Sequence, residues 1–401
     1  MPVRSVASGR FTPMKQTKPT LRTIFGEPSW RLTSDRVELY VTRIGGHLGP
    51  VTFDKQKRKL QPYSIAPWAT ESQTRKDPNL PPLMRAMRGD FFCMPFGGNA
   101  TMWRGEKHPT HGETANAPWS VLGLARDRDA GTSTLRLALE TSIRSGRVLK
   151  EITLQDGHDA VYSRHTISQM HGPMTMGHHA MLHFKPEYGP GEISTSRIVL
   201  GQVYIEPLER PEDRGYSILK PGAKFKTLKS VPTILGDRAD LSIYPQRRGF
   251  EDLLMMASDA SQPLAWTAVT FPKTRWAWLA IKNPQVLAST VLWFSNGGRH
   301  YAPWSGRHVN VLGLEEVTSW FHPGLAQSVR PNSWSAAGIP THLKLQSDKP
   351  LAVNYITTAF SIPAGFDAVA RISPEDNGDW VRIISRSGGS VRIRLNLGHL
   401  N

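Results

Sequence analysis

Along this chain, hydrophobic and polar positions alternate in short runs far more often than they recur at helical spacing. STLRLALETSI (133–143) places Leu135, Leu137 and Leu139 on one face, the period of a half-buried strand. RVLKEITLQ (147–155) and AVYSRHTISQ (160–169) flank DGHD, which predicts a β-hairpin. VELYVTRI (37–44), a Gly45-Gly46-His47 turn and LGPVTF predict another strand pair. MTMGHHAMLHF (174–184), VLASTVLWFSNGG (286–298) and HVNVLGLEEVTSW (308–320) extend the pattern, and LAVNYITTAF, WVRIIS and SVRIRLNL carry it to the C-terminus. Helical periodicity is nowhere sustained beyond a turn or two, and no fixed-period repeat marks a propeller or solenoid. The predicted fold is all-β, a large antiparallel β-sandwich formed as a single domain by residues 31–401.

Composition supports this reading. The 34 Gly and 31 Pro among 401 residues punctuate the chain too often for long helices. With 39% hydrophobic and 20% charged residues, the chain has the balance of a globular protein. A single cysteine, Cys93, excludes a disulfide framework, and its setting in FFCMPF reads as a small buried apolar residue. No run of about 18 apolar residues and no N-terminal apolar segment occurs, so a soluble, cytoplasmic protein without a membrane partner is expected.

Charge adds less than its size suggests. The formal net charge is +16, yet KQKRK (55–59) is the only dense basic run. Nucleic-acid binders concentrate such charge in a stripe or a recognisable module, and neither is present, so no nucleic-acid partner is expected. A basic field can equally steer a small anionic ligand. Residues 1–30, with Arg4, Arg10, Lys15, Lys18 and Arg22, read as a basic N-terminal arm.

Candidate chemistry gathers in three places. The stretch Arg88–Trp119 runs from an apolar strand through Gly97-Gly98-Asn99 into a loop holding His108 and His111, the way a scaffold presents a binding loop. In MGHHAMLHF, strand alternation puts His179, Met181 and His183 on one face and His178, Ala180, Leu182 and Phe184 on the other, core-like face. In VNVLGLEEV the same rule separates Glu315 from Glu316 but does not choose between them, because both faces are largely apolar. A carboxylate there is costly to bury unless paired, and burial raises its pKa towards that of a general base at neutral pH. Asp252, in GFEDLLMM, is a candidate second acid. His179 and His183 lie roughly 13 Å apart along a strand, too far for one ion, so no metal site is expected. Among the 12 Trp, Trp293 and Trp304 bracket SNGGRHYAP, and an indole face packs well against a pyranose.

The order of these motifs resembles the aldose 1-epimerases (galactose mutarotases) and related hexose-phosphate mutarotases. VTRIGGHLGPVTF, GDFFCMPFGGN, HGETANAPWSV, EITLQDGHDAVYSRHTISQ, MGHHAMLHF, VLWFSNGG and LGLEEV are similar to successive family segments over roughly residues 35–350. The resemblance implies a galactose mutarotase-like supersandwich and interconversion of sugar anomers by acid/base ring opening, with no metal or organic cofactor. It implies that His111 binds the sugar, His179 protonates the ring oxygen and Glu315 removes the anomeric hydroxyl proton. Arg88, Asp252 and Trp293 are the further substrate-binding candidates. A monosaccharide or sugar phosphate is the expected partner. The alternative is a non-catalytic sugar-binding protein on the same fold.

Overall fold

A computed structural model describes residues 16–375 and 378–401. Two antiparallel sheets form its body. The ten-stranded sheet has at its centre the predicted hairpin, Gly146–Gln155 paired with Ala160–Ser168, which in turn pairs with Leu351–Ser361. The seven-stranded sheet runs, in spatial order, through Lys224–Phe225, Ile198–Val203, Phe250–Ser258, Ser289–Asn296, Val311–Thr318, Met176–His183 and Phe92–Cys93. Leu135, Leu137 and Leu139 are all buried, and with Ala180, Leu182, Phe184, Leu312 and Leu314 they belong to the main core. The alternation seen in these runs thus becomes sheet-on-sheet packing.

A second apolar cluster lies on the other face of the seven-stranded sheet, around Phe91, Met181, Leu253, Trp293 and Trp304. Loops cover that face. The central strands of this sheet are consequently buried on both sides: every residue of Val311–Thr318 is buried. A third cluster joins the outer face of the ten-stranded sheet, through Tyr162, Leu279 and Ile356, to a small C-terminal sheet of Val369–Pro374, Trp380–Ser385 and Ser390–Arg394.

Of the segment expected as a basic arm, residues 1–15 lie outside the described residues. Residues 16–30 contribute strands instead: Gln16–Thr17 pairs with Leu124 and Ala125, and Leu21–Ile24 pairs with Glu27–Trp30. Trp30 is buried in the main core, which ties this edge down. No helix among the described residues is long and apolar enough to cross a membrane.

Candidate active site

The loop-covered face of the seven-stranded sheet encloses a cavity of about 210 Å³, lined by His111, His179, Trp293, Trp304 and Glu315 together with Phe91, Arg299, Tyr301 and His322. Two neighbouring strands supply its floor. His179 and Glu315 stand directly opposite each other in the register, so their side chains leave the same face. His179 Nε2 lies 3.2 Å from Glu315 Oε1. Gly313, two residues before Glu315, faces Trp293 on the next strand. A Cβ at Gly313 would sit 2.9 Å from Glu315 Oε1 and 3.1 Å from Trp293 Cβ, so the missing side chain gives both groups their room.

Aromatic contacts fix the other walls. Phe91 stacks between His47 and His179, with ring centroids 4.3 and 4.6 Å away. Trp293 meets the His179 ring edge-on at 5.9 Å, and His308 stacks behind it at 5.5 Å. Trp293 Nε1 donates to Glu251 Oε2 at 2.9 Å, and Glu251 Oε1 accepts from Ser295 Oγ at 3.0 Å and Gly298 N at 3.2 Å. His111 enters from the loop with φ 59°, and its N–H donates to Gly97 O at 2.7 Å. Gly112 follows at φ 74°, where a Cβ would fall 1.9 Å from Met94 O. Only glycine fits there, which accounts for the His-Gly pair. Asn99 Nδ2 closes the same loop by donating to the carbonyls of Pro95, Gly97 and Pro109.

Burial sets the protonation of the floor. It pushes the Glu315 carboxyl well above its ordinary value and lowers His179 to about 3, so both favour their neutral forms. His111 is likewise lowered by burial. Glu251 is pushed up to about 7 by burial, against the opposing pull of Arg299 and its hydrogen-bond donors.

Glu316 is on the opposite face, in the main core. There it forms an ion pair with Lys282 and accepts from Thr290 Oγ1 at 2.6 Å. Lys282 Nζ also donates to Ser289 O at 2.6 Å. His178 is in the core too, with Nδ1 2.9 Å from Asp90 Oδ2. His108 pairs with Glu106 away from the cavity. Among the described residues, no three His, Cys, Asp or Glu side chains gather as a metal set.

Two of the sequence-derived assignments are corrected. Arg88 is fully buried outside the cavity and donates to the carbonyls of Ala86, Ile24 and Phe25 at 2.9, 2.7 and 3.0 Å. It clamps the turn of the N-terminal hairpin, at Ile24 and Phe25, to the segment that ends at Ala86. Arg88→Met should therefore lower the unfolding midpoint in urea, each lost charged hydrogen bond counting for about 1.5–3 kcal/mol before the relief of guanidinium desolvation. It should leave KM for a sugar unchanged, whereas a raised KM in a folded variant would restore the substrate role. Asp252 points to the core face, where Oδ1 accepts from Ile218 N at 3.1 Å and Leu219 N at 2.9 Å. Its neighbour Glu251 is the acid on the Trp293 side. Alternation puts Glu251 and Leu253 on one face, but only the structure shows that this face lines the cavity.

Comparison with solved structures defines the architecture. A candidate aldose 1-epimerase from Escherichia coli K12 superposes with a TM-score of 0.54 at 15% identity, over 83% of this chain and 99% of that one. A second candidate aldose 1-epimerase, from Klebsiella pneumoniae, gives 0.57 at 12% identity over 83% and 79%. A galactose mutarotase-related enzyme from Lactobacillus acidophilus gives 0.52 at 11% over 83% and 97%. The chain has the galactose mutarotase-like fold. A scan against protein-family models finds no match, and a search of curated proteins finds none.

On this mutarotase-like scaffold, the motif order brings together His111, His179, Trp293 and Glu315 but not Arg88 or Asp252. Arg299, Tyr301 and His322 were missed. Arg299 lies over the rings of Trp304 and Trp293, at 4.5 and 5.3 Å, and its Nε donates to Glu209 Oε1 at 2.5 Å. Burial works against its charge, but Glu251 and Glu209 more than offset this and raise its pKa. The Trp-bracketed SNGGRHYAP segment was the only sequence signal for Arg299 and Tyr301. His322 had none.

Proposed function

We propose that the protein is an aldose 1-epimerase-like isomerase that interconverts sugar anomers with His179 and Glu315 as its proton-transfer pair. The observation carrying this reading is one acid and one base 3.2 Å apart on the floor of a tryptophan-walled cavity. The cavity volume suits one pyranose, being below the range of about 300–1,000 Å³ usual for larger ligands.

Mutarotation neither consumes nor releases a proton, and the pair needs to hold only one. The resting pair keeps its proton on Glu315, and passing it to His179 across the 3.2 Å contact gives the reactive tautomer. In that tautomer Glu315 accepts the O1 proton while the C1–O5 bond breaks, C1=O forms and O5 takes the proton from His179. The open chain rotates about C1–C2. Closure on the other face runs the transfers backwards, returning O5's proton to His179 and giving O1 the proton held by Glu315. Ring opening thus carries the pair from one tautomer to the other, and closure carries it back. His111 and Trp293 hold the sugar against the floor.

Polarimetry and NMR exchange on α-glucose, α-galactose and their 6-phosphates test the reading. Exchange faster than the uncatalysed rate is expected for at least one, whereas saturable binding without exchange would leave the sugar-binding alternative. The pH profile follows from the single proton. As pH rises through the raised Glu315 pKa, that proton is lost and kcat/KM should fall. On the acid side His179 takes a second proton only near 3, so the rate should stay level down to the acid limit of the fold. A rate that instead rises through weakly acidic pH and levels off at neutrality would contradict one-proton operation, and would indicate a carboxylate base titrating alone.

A further inference from the structure

The hairpin between Val231 and Ala239 presents apolar side chains where a turn normally carries polar ones. Its base is fixed. Val231 pairs with Ala239, both in the main core, Thr233 N donates to Asp237 O at 3.0 Å, and Ile234 N donates to Ile218 O at 2.9 Å. Gly236, at φ 86°, turns the chain, and the two side chains before it, Ile234 and Leu235, project into solvent. They are 59% and 69% exposed, and with Val199 at 54% they are the most exposed large hydrophobic residues among those described. Val199 lines a groove of about 690 Å³ with Lys224, Lys226 and Arg238, the last of which belongs to the hairpin. One such residue alone would need no explanation, but three on one surface mark a contact site.

We infer that this surface docks on an anionic lipid bilayer, with Ile234 and Leu235 entering the boundary between headgroups and acyl chains and the surrounding lysines meeting lipid phosphates. Charge supports that partner. From Lys220 to Arg248 the chain has four Lys and three Arg against Asp237 and Asp240. Both acids are already engaged. Asp237 pairs with Arg247 at 2.8 Å and accepts from Thr233 Oγ1, and Asp240 accepts from Ser242 Oγ at 2.6 Å. Lys220, Lys224, Lys226 and Lys229 are exposed, and none makes an ion pair among the described residues. Lys220 is held beside the hairpin, where its N–H donates to Pro232 O at 2.9 Å. The kind of cation matters too. Interfaces between proteins are depleted in Lys and enriched in Arg and aromatic residues, whereas lysines around a protruding aliphatic pair suit phosphates lying over hydrocarbon. An anionic polysaccharide would meet the lysines but has no apolar interior for Ile234 and Leu235. The expectation of no membrane partner rested on the lack of a long apolar run, which bears on spanning and not on docking at a surface.

The inference is independent of the epimerase reading. It is tested by co-sedimenting the full chain with vesicles of phosphatidylcholine alone and with about 30% phosphatidylglycerol, at about 0.1 M salt. Binding to the anionic vesicles should exceed binding to the neutral ones about ten-fold or more and weaken as salt is raised. Lys224→Glu with Lys226→Glu should lower it about ten-fold, and Ile234→Ser with Leu235→Ser about five-fold. Thermal midpoints should not change, because all four side chains are exposed. A polarity-sensitive fluorophore attached at Leu235→Cys, with Cys93 buried and out of reach, should shift to the blue on the anionic vesicles. No binding to those vesicles would overturn the inference. Binding that ignores the serine double variant, or a fluorophore that does not shift, would mark adsorption by charge alone and overturn it as well. Retention on immobilised polyglutamate without vesicle binding would assign the surface to an acidic protein instead, with the same consequence.

Discussion

Glu315→Gln is expected to lower kcat for anomer exchange by about 10²–10⁴-fold, the usual contribution of a positioned acid/base group, with KM within a few-fold of wild type. Glutamine keeps the volume and can still reach His179 Nε2, so sugar binding by His111 and Trp293 is preserved. What it removes is the exchangeable proton that passes between O1, O5 and the pair. Since burial already holds Glu315 towards its neutral form, the amide imposes no new desolvation, and the thermal midpoint should stay the same or rise slightly. The loss therefore separates chemistry from folding. Full activity in a folded Glu315→Gln protein would refute the proton-transfer assignment, and Glu316 would not be an alternative, because it opens into the core on the other face.

The largest effect on stability is expected from Lys282→Ala. Lys282 and Glu316 are an ion pair between the two sheets, both essentially inaccessible, with Ser289 O and Thr290 Oγ1 completing the cluster. Removing the ammonium strands a buried carboxylate, which costs about 3–5 kcal/mol in comparable pairs. Unfolding in urea should show the midpoint falling by that free energy divided by the m-value, with m itself unchanged. Replacing both partners, as Lys282→Met with Glu316→Leu, should recover most of the loss, because an apolar pair of similar volume removes the desolvation cost together with the attraction. A double variant no more stable than Lys282→Ala would show that the ion pair is needed for more than mutual neutralisation. The proposed activity, which depends on the other face of the strand, should survive in the double variant.

These two experiments address adjacent residues, and the contrast between them shows how far the sequence can be read. Period-two alternation places Glu315 and Glu316 on opposite faces, as it does His178 and His179, and both separations hold in the register of the paired strands. It does not say which face opens onto a cavity. In a strand with only one buried face, hydrophobicity would decide, but Val311–Thr318 is buried throughout because loops cover the outer face. Asp252 and Glu251 illustrate the same limit, since one step in phase moves a carboxylate from the Trp293 network to the backbone amides of Ile218 and Leu219.

Local pattern was sufficient for the class of fold, the DGHD hairpin and the core leucines, since each depends on residues close in sequence. The ordered motifs pointed to the His111, His179 and Glu315 set through resemblance. Tertiary structure alone decided that Arg88 closes a hairpin, that Glu316 meets a lysine from the opposite sheet, and that Arg299 and His322 join the site. Those contacts span tens to hundreds of residues: Arg88 reaches 64 residues back to Ile24, and Arg299 reaches Glu209 across 90. A side chain's charge and size are written in the sequence, but its partner is set by which strands lie side by side, and that follows from packing the whole sandwich.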